Sequence, residues 1–389
     1  MKNFIYHNPT KILFGKGMIE QLGSEITGYS VKKVLLHYGK NSIFKTGLYE
    51  KVVAMLKANN IEFVECGGVK ANPSLDKVRE AIDICKKENV DGILAVGGGS
   101  VIDSAKATGR GFHYEGDVWD LFKGTGKSEK CLPIFTILTI SATGSEMNGN
   151  SVISNEKENK KWPMAVSMDN YPKVSVIDPE LQKTLPVSQI VNGAADIMAH
   201  VFEFYFDGSN DSDLTNEFCE GIIRTTMKQA RILVKDPENY DARANFAWSA
   251  TQALNMLLQP GRNGGDWATH MIEHSVSMFY DIAHGAGLAI LFPAWMKYVY
   301  EENLEQFERF AENIFGITEG TTEEKALEAI IMLIKFYKDI GAPVTLKEVG
   351  VKEEDIEKMA ENAAMRGALG KLLKLEKEDI VEIYKLAYQ

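Results

Sequence analysis

Four of the seven histidines in this chain fall between positions 200 and 284, in Asp196-Ile-Met-Ala-His200, His270-Met-Ile-Glu-His274 and Asp281-Ile-Ala-His284-Gly. On a helix, residues four apart share a face about one turn apart, so Asp196 with His200 and His270 with His274 can each aim a pair of side chains into one cavity. A third segment at His284 then gives one carboxylate and up to four imidazoles. That donor set suits divalent iron or zinc, whereas magnesium and calcium prefer oxygen shells. Such an ion is catalytic if it keeps room for a substrate oxygen. A single pair of this kind is more often a cap, a surface pair or a satisfied core histidine. Two pairs with a further histidine nearby favour a metal site. A shell of all five donors is crowded, so one stands outside it, and spacing does not say which.

A second chemical signal lies upstream, in Gly97-Gly98-Gly99-Ser100-Val-Ile-Asp103-Ser-Ala-Lys106. Three glycines let a backbone pass close to a bulky anion, and a helix starting near Ser100 offers free N–H groups and a positive dipole end to a phosphate. The run resembles a dinucleotide pyrophosphate site, although it is neither G-x-G-x-x-G nor a Walker A loop. A tight strand-to-helix turn without a ligand is the plain alternative. The stretch Thr139-Ile-Ser141-Ala-Thr143-Gly144-Ser145-Glu146 puts hydroxyls, small residues and a glycine at another strand end, which suits contacts to ribose, phosphate or a nicotinamide amide.

The elements that position these groups fall into two kinds. In the first half, short apolar runs at Thr10 to Phe14, Val34 to Tyr38, Ile61 to Glu65, Gly92 to Val96, Leu132 to Leu138, Ser151 to Ser154 and Val174 to Ile177 read as strands. Helical spacing separates the early ones, from Met18 to Ile26, Leu48 to Ala58 and Leu75 to Glu88, the last with Ser74 placed to cap it. Strands separated by helices of this length predict a parallel sheet wrapped by helices. From Val187 the pattern is helical throughout, with windows at Leu214 to Leu233, Ala242 to Leu258, Trp267 to Phe279, Gly287 to Tyr300, Leu304 to Ile314 and Glu323 to Ile340. The expected organisation is an α/β dinucleotide-binding domain over residues 1–186 and an all-helical metal-binding and catalytic domain over 187–389. The Lys/Glu-rich stretch from Leu346 to Lys377 reads as a solvated helical surface.

Composition excludes several classes. A chain of 389 residues, 45% hydrophobic and 25% charged, is ordinary for a globular protein and long enough for two domains. A net charge of -11 argues against a nucleic-acid backbone as partner. No run approaches the ~18 apolar residues of a membrane span, and the first residues lack the apolar core of a signal peptide, so a cytoplasmic protein is expected. Cys66, Cys85, Cys131 and Cys219 form no C-x-x-C pair and read as reduced, packed thiols.

Several of these stretches occur together in one known family. Pro9-Thr10-Lys11-Ile12-Leu13-Phe14-Gly15, the Gly-Gly-Gly-Ser-x-x-Asp at 97–103, Ala142-Thr143-Gly144-Ser145-Glu146, Asp178-Pro-x-Leu-x-x-Thr-Leu-Pro186, the two histidine pairs and Asp281-Ile-Ala-His284-Gly-x-Gly287 stand in the order found in iron-containing (group III) alcohol dehydrogenases. The resemblance runs over nearly the whole chain and is nearest to the NAD(P)H-dependent butanol dehydrogenase branch. It implies a fold shared with dehydroquinate synthase, an α/β dinucleotide-binding domain followed by an all-α domain with the active site in the cleft between them, assembled as a homodimer.

Carried over residue by residue, the resemblance makes Asp196, His200, His270 and His284 the metal ligands, of Fe2+ or Zn2+. It leaves His274 as the catalytic candidate, a supporting or proton-handling residue near the nicotinamide. Cofactor contacts map to Gly39, Asn72, Gly98, Gly99, Ser100, Asp103, Thr139, Thr143, Asn148, Lys161 and Leu181. Some NAD-using members carry an acid at the end of the first core strand, which bonds the adenosine ribose and repels a 2′-phosphate. Gly39 is followed here by Lys40, Asn41 and Ser42, so NADP(H) is favoured over NAD(H). The implied activity is metal-polarised hydride transfer on small primary alcohols and aldehydes such as butanol and butyraldehyde.

Two other functions compete. Metal-dependent lyase or cyclase chemistry of the dehydroquinate synthase type needs several Lys and Arg for phosphate and carboxylate groups, whereas the sequence neighbours of the histidine pairs are Met198, Phe202, Phe204, Met256, Trp267, Met271, Phe279 and Tyr280. That setting suits a small apolar substrate. A non-catalytic metal-binding helical protein leaves the glycine-rich loop without a purpose.

Overall fold

The structure is a computed structural model that describes all residues, Met1–Gln389. The chain forms two compact units. One takes His7–Leu185 with Glu238–Thr251, and the other takes Met1–Tyr6, Pro186–Pro237 and Gln252–Gln389. No helix is long and apolar enough to cross a membrane.

The first unit is built on strands β1 (Lys11–Phe14), β2 (Lys33–Tyr38), β3 (Glu62–Cys66), β4 (Gly92–Gly97), β5 (Ile134–Leu138), β6 (Val152–Asn155), β7 (Lys160–Pro163) and β8 (Val174–Ile177). Six of them form a wholly parallel sheet in the order β1-β8-β5-β4-β2-β3. Both faces are covered, which is why the strands read as continuous apolar runs. Val34, Leu36, Leu94, Val96, Phe135 and Ile137 pack on one side with the helices Ile19–Gly28 and Leu48–Ala58. Leu35, Ile93 and Ala95 pack on the other with Ala81 and Cys85 of the helix Leu75–Glu88 and Val101, Ile102 and Ala105 of the helix Gly99–Phe112. The chain departs from β2 to β3 on one side and returns past β2 to β4 on the other, so the connections reverse direction between β2 and β4. A crevice at the carboxyl ends of the strands beside such a reversal is where open α/β sheets take their ligands.

The sheet differs from the sequence reading in two details. Ser74 occupies the N-cap position with extended backbone, yet its side chain makes no capping hydrogen bond. Its backbone instead forms an isolated parallel bridge with Ser154 of β6. The antiparallel pair β6–β7 was half missed, because Lys160–Pro163 carries two lysines and a proline and so lacks the β-branched enrichment that marks a strand. The helix Tyr240–Ala253 lies in the helical second half of the sequence, yet Ala247 joins the apolar cluster of the sheet and Trp248 meets the Phe14 ring edge-on at 5.7 Å. The cysteines are all free, and Cys66, Cys85 and Cys219 are buried.

The second unit is helical. Its core is made by the helices Val187–Tyr205, Asp213–Lys235, Ala268–Tyr280 and His284–Val299, followed by Leu304–Phe310, a π-helical turn Ala311–Phe315, and Thr322–Asp339. Phe202, Phe206, Phe292 and Phe310 interlock at its centre. The stretch from Leu346 to Lys377 is less helical than its composition suggests: it holds one helix, Ile356–Ala363, between 3-10 turns and an isolated bridge of Leu369 with Leu375. Gly285 sets a crossing distance in this core. A Cβ there would run into the Asn192 backbone, 2.6 Å from its carbonyl carbon and closer still to its oxygen. Only a residue without a side chain lets the start of the helix His284–Val299 touch the helix Val187–Tyr205.

Two stability measurements follow from this packing. His37 on β2 is fully buried, with Nδ1 2.9 Å from the Cys66 carbonyl oxygen and Nε2 2.9 Å from the Ser104 hydroxyl. Burial pulls its pKa down from 6.5 to about 4. A folded pKa below the unfolded one gives stability that is complete above pH ~6.5 and is lost as pH falls towards 4, by about 3 kcal/mol for this gap. Urea unfolding near pH 7 and near pH 4.5 should show that loss, and His37→Gln should shrink the difference between the two; an unchanged difference would show that His37 does not titrate on unfolding. Gly285→Ala should cost about 1–3 kcal/mol from overpacking, read as a lower urea midpoint with an unchanged slope.

Candidate metal centre and nucleotide crevice

The metal candidates come from three helices of one unit. Asp196 and His200 sit one turn apart on Val187–Tyr205, His270 and His274 on Ala268–Tyr280, and His284 is the first residue of His284–Val299. One ligand atom each from Asp196, His270 and His284 lies within 4.8 Å of the others. His200 adjoins this trio: its Nδ1 is 3.5 Å from Asp196 Oδ1, and its ring centre is 4.8 Å from that of His270. His274 lies on the far side of His284, ring centres 5.4 Å apart.

The donors fit a bound cation by a test independent of spacing. Asp196 Oδ1, His200 Nδ1 and His270 Nε2 are buried and have no hydrogen-bond partner. Buried polar atoms in folded proteins are nearly always satisfied, and the exceptions call for a ligand or ion. Burial also pulls the His200 pKa down to about 3, against the opposing pull of Asp196, so its ring is neutral and has a lone pair to give. A carboxylate with neutral imidazoles is a donor set for divalent iron or zinc. The His284 side chain is 23% exposed, against 5% for Asp196 and 6% for His200 and His270. The cluster is therefore open on the His284 side.

Two buried glutamates at this centre were not picked out from the sequence. Glu203 Oε1 accepts from His270 Nδ1 at 2.6 Å and from the His270 backbone N–H at 3.2 Å, while its other oxygen accepts from the Trp267 N–H. Glu273 accepts from His284 Nδ1 and from the Ser277 hydroxyl. A signal was available: Glu203 follows Asp196 by seven residues, two turns along the same face, and stands between Phe202 and Phe204 in a strongly apolar helix. Asp266 ties the same corner together. Its carboxylate accepts from the backbone N–H groups of Ala268, Lys371 and Leu372, and burial, then the neighbouring Glu203, raises its pKa to about 6.

The apolar residues read as pocket lining have other places. Met198, Phe202 and Phe204 are wholly buried in the helical core. Phe279 lies under the Lys358 ammonium at 4.5 Å, and the Tyr280 hydroxyl donates to Asp355. Trp267 and Phe292 are aromatic residues beside the centre, 5.4 Å and 6.3 Å from the His270 ring. Sequence proximity to a ligand does not put a helical side chain on the ligand's face.

In the α/β unit, the candidate cofactor residues gather at the carboxyl ends of the strands. Gly39 follows β2, and its carbonyl accepts from the Gly68 N–H at 2.7 Å in the loop after β3. Gly98 is the N-cap of the helix Gly99–Phe112, with no side chain satisfying the first N–H groups there. A Cβ on Gly99 would strike the Thr143 side chain, 2.7 Å from its methyl carbon, so glycine lets the 139–145 loop close on the helix start. Ser100 donates to the Ala71 carbonyl, beside Asn72. Asn72, Gly98, Gly99, Ser100, Thr139 and Thr143 thus lie in the loops and helix start that follow the strands beside the reversal.

Asp103 and Asn148 also make bonds within the loop. Asp103 accepts from the Ser145 hydroxyl at 2.6 Å and the Val152 N–H at 2.9 Å. Asn148 Oδ1 accepts from Lys106 at 3.1 Å, and its amide donates to the Gly144 carbonyl at 2.9 Å. Both shape the loop from inside. Lys106 is fully buried, and burial lowers its pKa to about 8. Lys161 stands on β7, and Leu181 packs against the apolar cluster beneath the sheet.

With the fold and both clusters described, comparison with known proteins is specific. Residues 9–179 match the family described as iron-containing alcohol dehydrogenase, and residues 190–388 match its C-terminal family, Fe-containing alcohol dehydrogenase. The chain is 42% identical to the NADH-dependent butanol dehydrogenase A of Clostridium acetobutylicum, over 100% of both chains. It is 36% identical to the NADPH-dependent aldehyde reductase YqhD of Escherichia coli, over 92% of this chain and 91% of that protein. Among solved structures, the NADH-dependent butanol dehydrogenase A of Thermotoga maritima superposes with a TM-score of 0.98 at 54% identity, covering 100% of this chain and 99% of that one. Matches of this extent, along a parallel-sheet unit and a helical unit alike, mean that the chain belongs to the iron-containing alcohol dehydrogenase family, in the branch of the butanol dehydrogenases.

Proposed function

We propose that this chain is a metal-dependent, NAD(P)H-linked alcohol dehydrogenase and aldehyde reductase acting on small primary alcohols and aldehydes such as butanol and butyraldehyde. The observation that carries the reading is the cluster of Asp196, His270 and His284, in which Asp196 Oδ1 and His270 Nε2 are buried without hydrogen-bond partners, with His200 Nδ1 3.5 Å from Asp196 Oδ1. In this reading Asp196, His200, His270 and His284 hold Fe2+ or Zn2+. When bound, the ion supplies Lewis acidity towards the substrate oxygen and the nicotinamide supplies or takes the hydride.

The chain's own residues do the rest. The buried helix faces around His200 and His270 keep bulk water from the reacting oxygen, and the open side at His284 admits a substrate. His274, beside His284, moves the proton between that oxygen and solvent. The free N–H groups at the start of the helix Gly99–Phe112 seat the pyrophosphate, with Gly98, Gly99 and Ser100 allowing its approach. Gly39, Asn72, Thr139, Thr143, Lys161 and Leu181 complete the nucleotide contacts in this reading, while Asp103 and Asn148 act by shaping the loop. No acid stands between Gly39 and Ser42, and Lys40 is exposed there, which favours NADP(H) over NAD(H).

The test is oxidation of NADPH and, separately, NADH by the purified protein with butyraldehyde, after chelation and after adding back ferrous iron or zinc. Chelation should abolish turnover, one of the two ions should restore it, and NADPH should give the larger kcat/KM; turnover that persists in fully metal-free protein would sink the metal-dependent reading. His274→Ala should slow turnover by about 10²–10⁴-fold, the usual worth of a positioned proton carrier, while bound metal stays near stoichiometric by elemental analysis. Loss of the metal in that variant would instead make His274 a ligand.

A further inference from the structure

We infer that Glu203 and Glu273 are positioning residues that set the tautomer of two of the metal-binding imidazoles, leaving the third without such support. The inference rests on the metal site proposed above and goes beyond it, since neither glutamate belongs to the ligand set. Both side chains are buried, 1% exposed for Glu203 and 0% for Glu273. Each meets the Nδ1 of a different candidate ligand, Glu203 that of His270 at 2.6 Å and Glu273 that of His284.

An ionised carboxylate can only accept, so the Nδ1 facing it must carry the proton. In a neutral imidazole the lone pair then sits on Nε2. The far sides of both rings agree with this assignment. His270 Nε2 is buried with no hydrogen-bond partner, and His284 Nε2 is 3.8 Å from Asp196 Oδ1. Both rings therefore turn their free nitrogen towards the aspartate. His200 is held differently: its Nδ1 faces Asp196 at 3.5 Å and has no hydrogen-bond partner.

The two glutamates are anchored so that they cannot follow a ring that turns. Glu203 also accepts from the Trp267 and His270 backbone N–H groups, at the unsatisfied first turn of the helix Ala268–Tyr280. Glu273 also accepts from Ser277, one turn along its own helix. Gly287 leaves room for it, because a Cβ there would come within 2.7 Å of the Glu273 Cγ. Outer carboxylates that orient a metal-binding ring are worth about 10–100-fold in metal affinity.

Glu273→Met and Glu203→Met remove the acceptor behind each ring, whereas glutamine keeps an oxygen that can still accept from Nδ1. The probe is Zn2+ alone, titrated into chelator-stripped protein in competition with a chromophoric chelator, with circular dichroism and the apo-protein melting temperature as fold controls. Glu273→Met and Glu203→Met should each weaken zinc binding about 10–100-fold, with the Gln variants recovering part of it; wild-type affinity in both folded Met variants overturns the inference. Should either variant fail to fold, the wild-type protein still decides: with 15N-labelled histidine and zinc bound, His270 and His284 should show a protonated Nδ1 and a metal-shifted Nε2, and the reverse pattern overturns the inference. If wild-type protein takes up no stoichiometric zinc, or Asp196→Ala binds it as tightly as wild type, the metal site itself fails, an outcome distinct from intact zinc binding that ignores the glutamates.

Discussion

The helical unit is organised by buried carboxylates, and around the candidate centre Asp196, Glu203 and Glu273 lie inside a helical core and must be compensated there. An isolated buried carboxylate is too costly to keep charged, so its partners dictate the local architecture. Glu203 meets this by taking the first-turn N–H groups of the helix Ala268–Tyr280, which have no partner within that helix, together with the His270 ring. One carboxylate thus fixes the start of a helix, the rotation of that helix about its axis and the orientation of an imidazole. Glu273 orients the His284 ring through its Nδ1. Asp196 is the exception, because its Oδ1 has no hydrogen-bond partner and faces His200 and His284. Asp196 Oδ1 thus stands among buried imidazoles as an acceptor that the protein's own hydrogen bonds do not use.

The α/β unit solves a different problem, that of presenting main-chain N–H groups to a large anion. Its strands are buried on both faces, so their carboxyl-end loops carry the function while the sheet only holds them in register. The loop from Thr139 to Val152 is braced from below by Asp103, Lys106 and Asn148. Glu146, buried, accepts from Thr251 at 2.6 Å, which fastens the same loop to the segment Glu238–Thr251. Polar groups that look like ligand contacts in a one-dimensional motif are therefore partly the internal bracing of the loop. A fully satisfied buried network of this kind holds one loop shape, and a single shape is what a precise nucleotide seat requires.

Particular residues show how far the sequence could be read. The strands of the sheet were legible because buried parallel strands are short, apolar and closed by glycine or proline, as Val34 to Tyr38 and Gly39 are. The D-x-x-x-H and H-x-x-x-H pairs were legible because the helical period converts spacing into a shared face. The role of Glu203 was not, since its partners Trp267 and His270 lie more than sixty positions away and no local pattern links them. The neighbours of the histidines misled for the complementary reason: Phe202 and Met198 adjoin the ligands in sequence but face the core. Ser74 had the residue type of a cap without the capping bond, because propensity names candidates and the surrounding chain decides the rotamer.

What the sequence by itself determined is the family, the alternation that builds a parallel sheet, the glycines at one strand end, and a set of donors with metal-binding chemistry in helical register. All of these are local or periodic properties, which a chain carries with it before it folds. What only the tertiary structure decided is which donors come together, which carboxylates stand behind His270 and His284, and which polar groups are spent on bracing. Those depend on the approach of helices far apart in the chain, down to the single missing Cβ of Gly285 against Asn192. Such approaches are set by packing, and packing is a property of the folded chain as a whole.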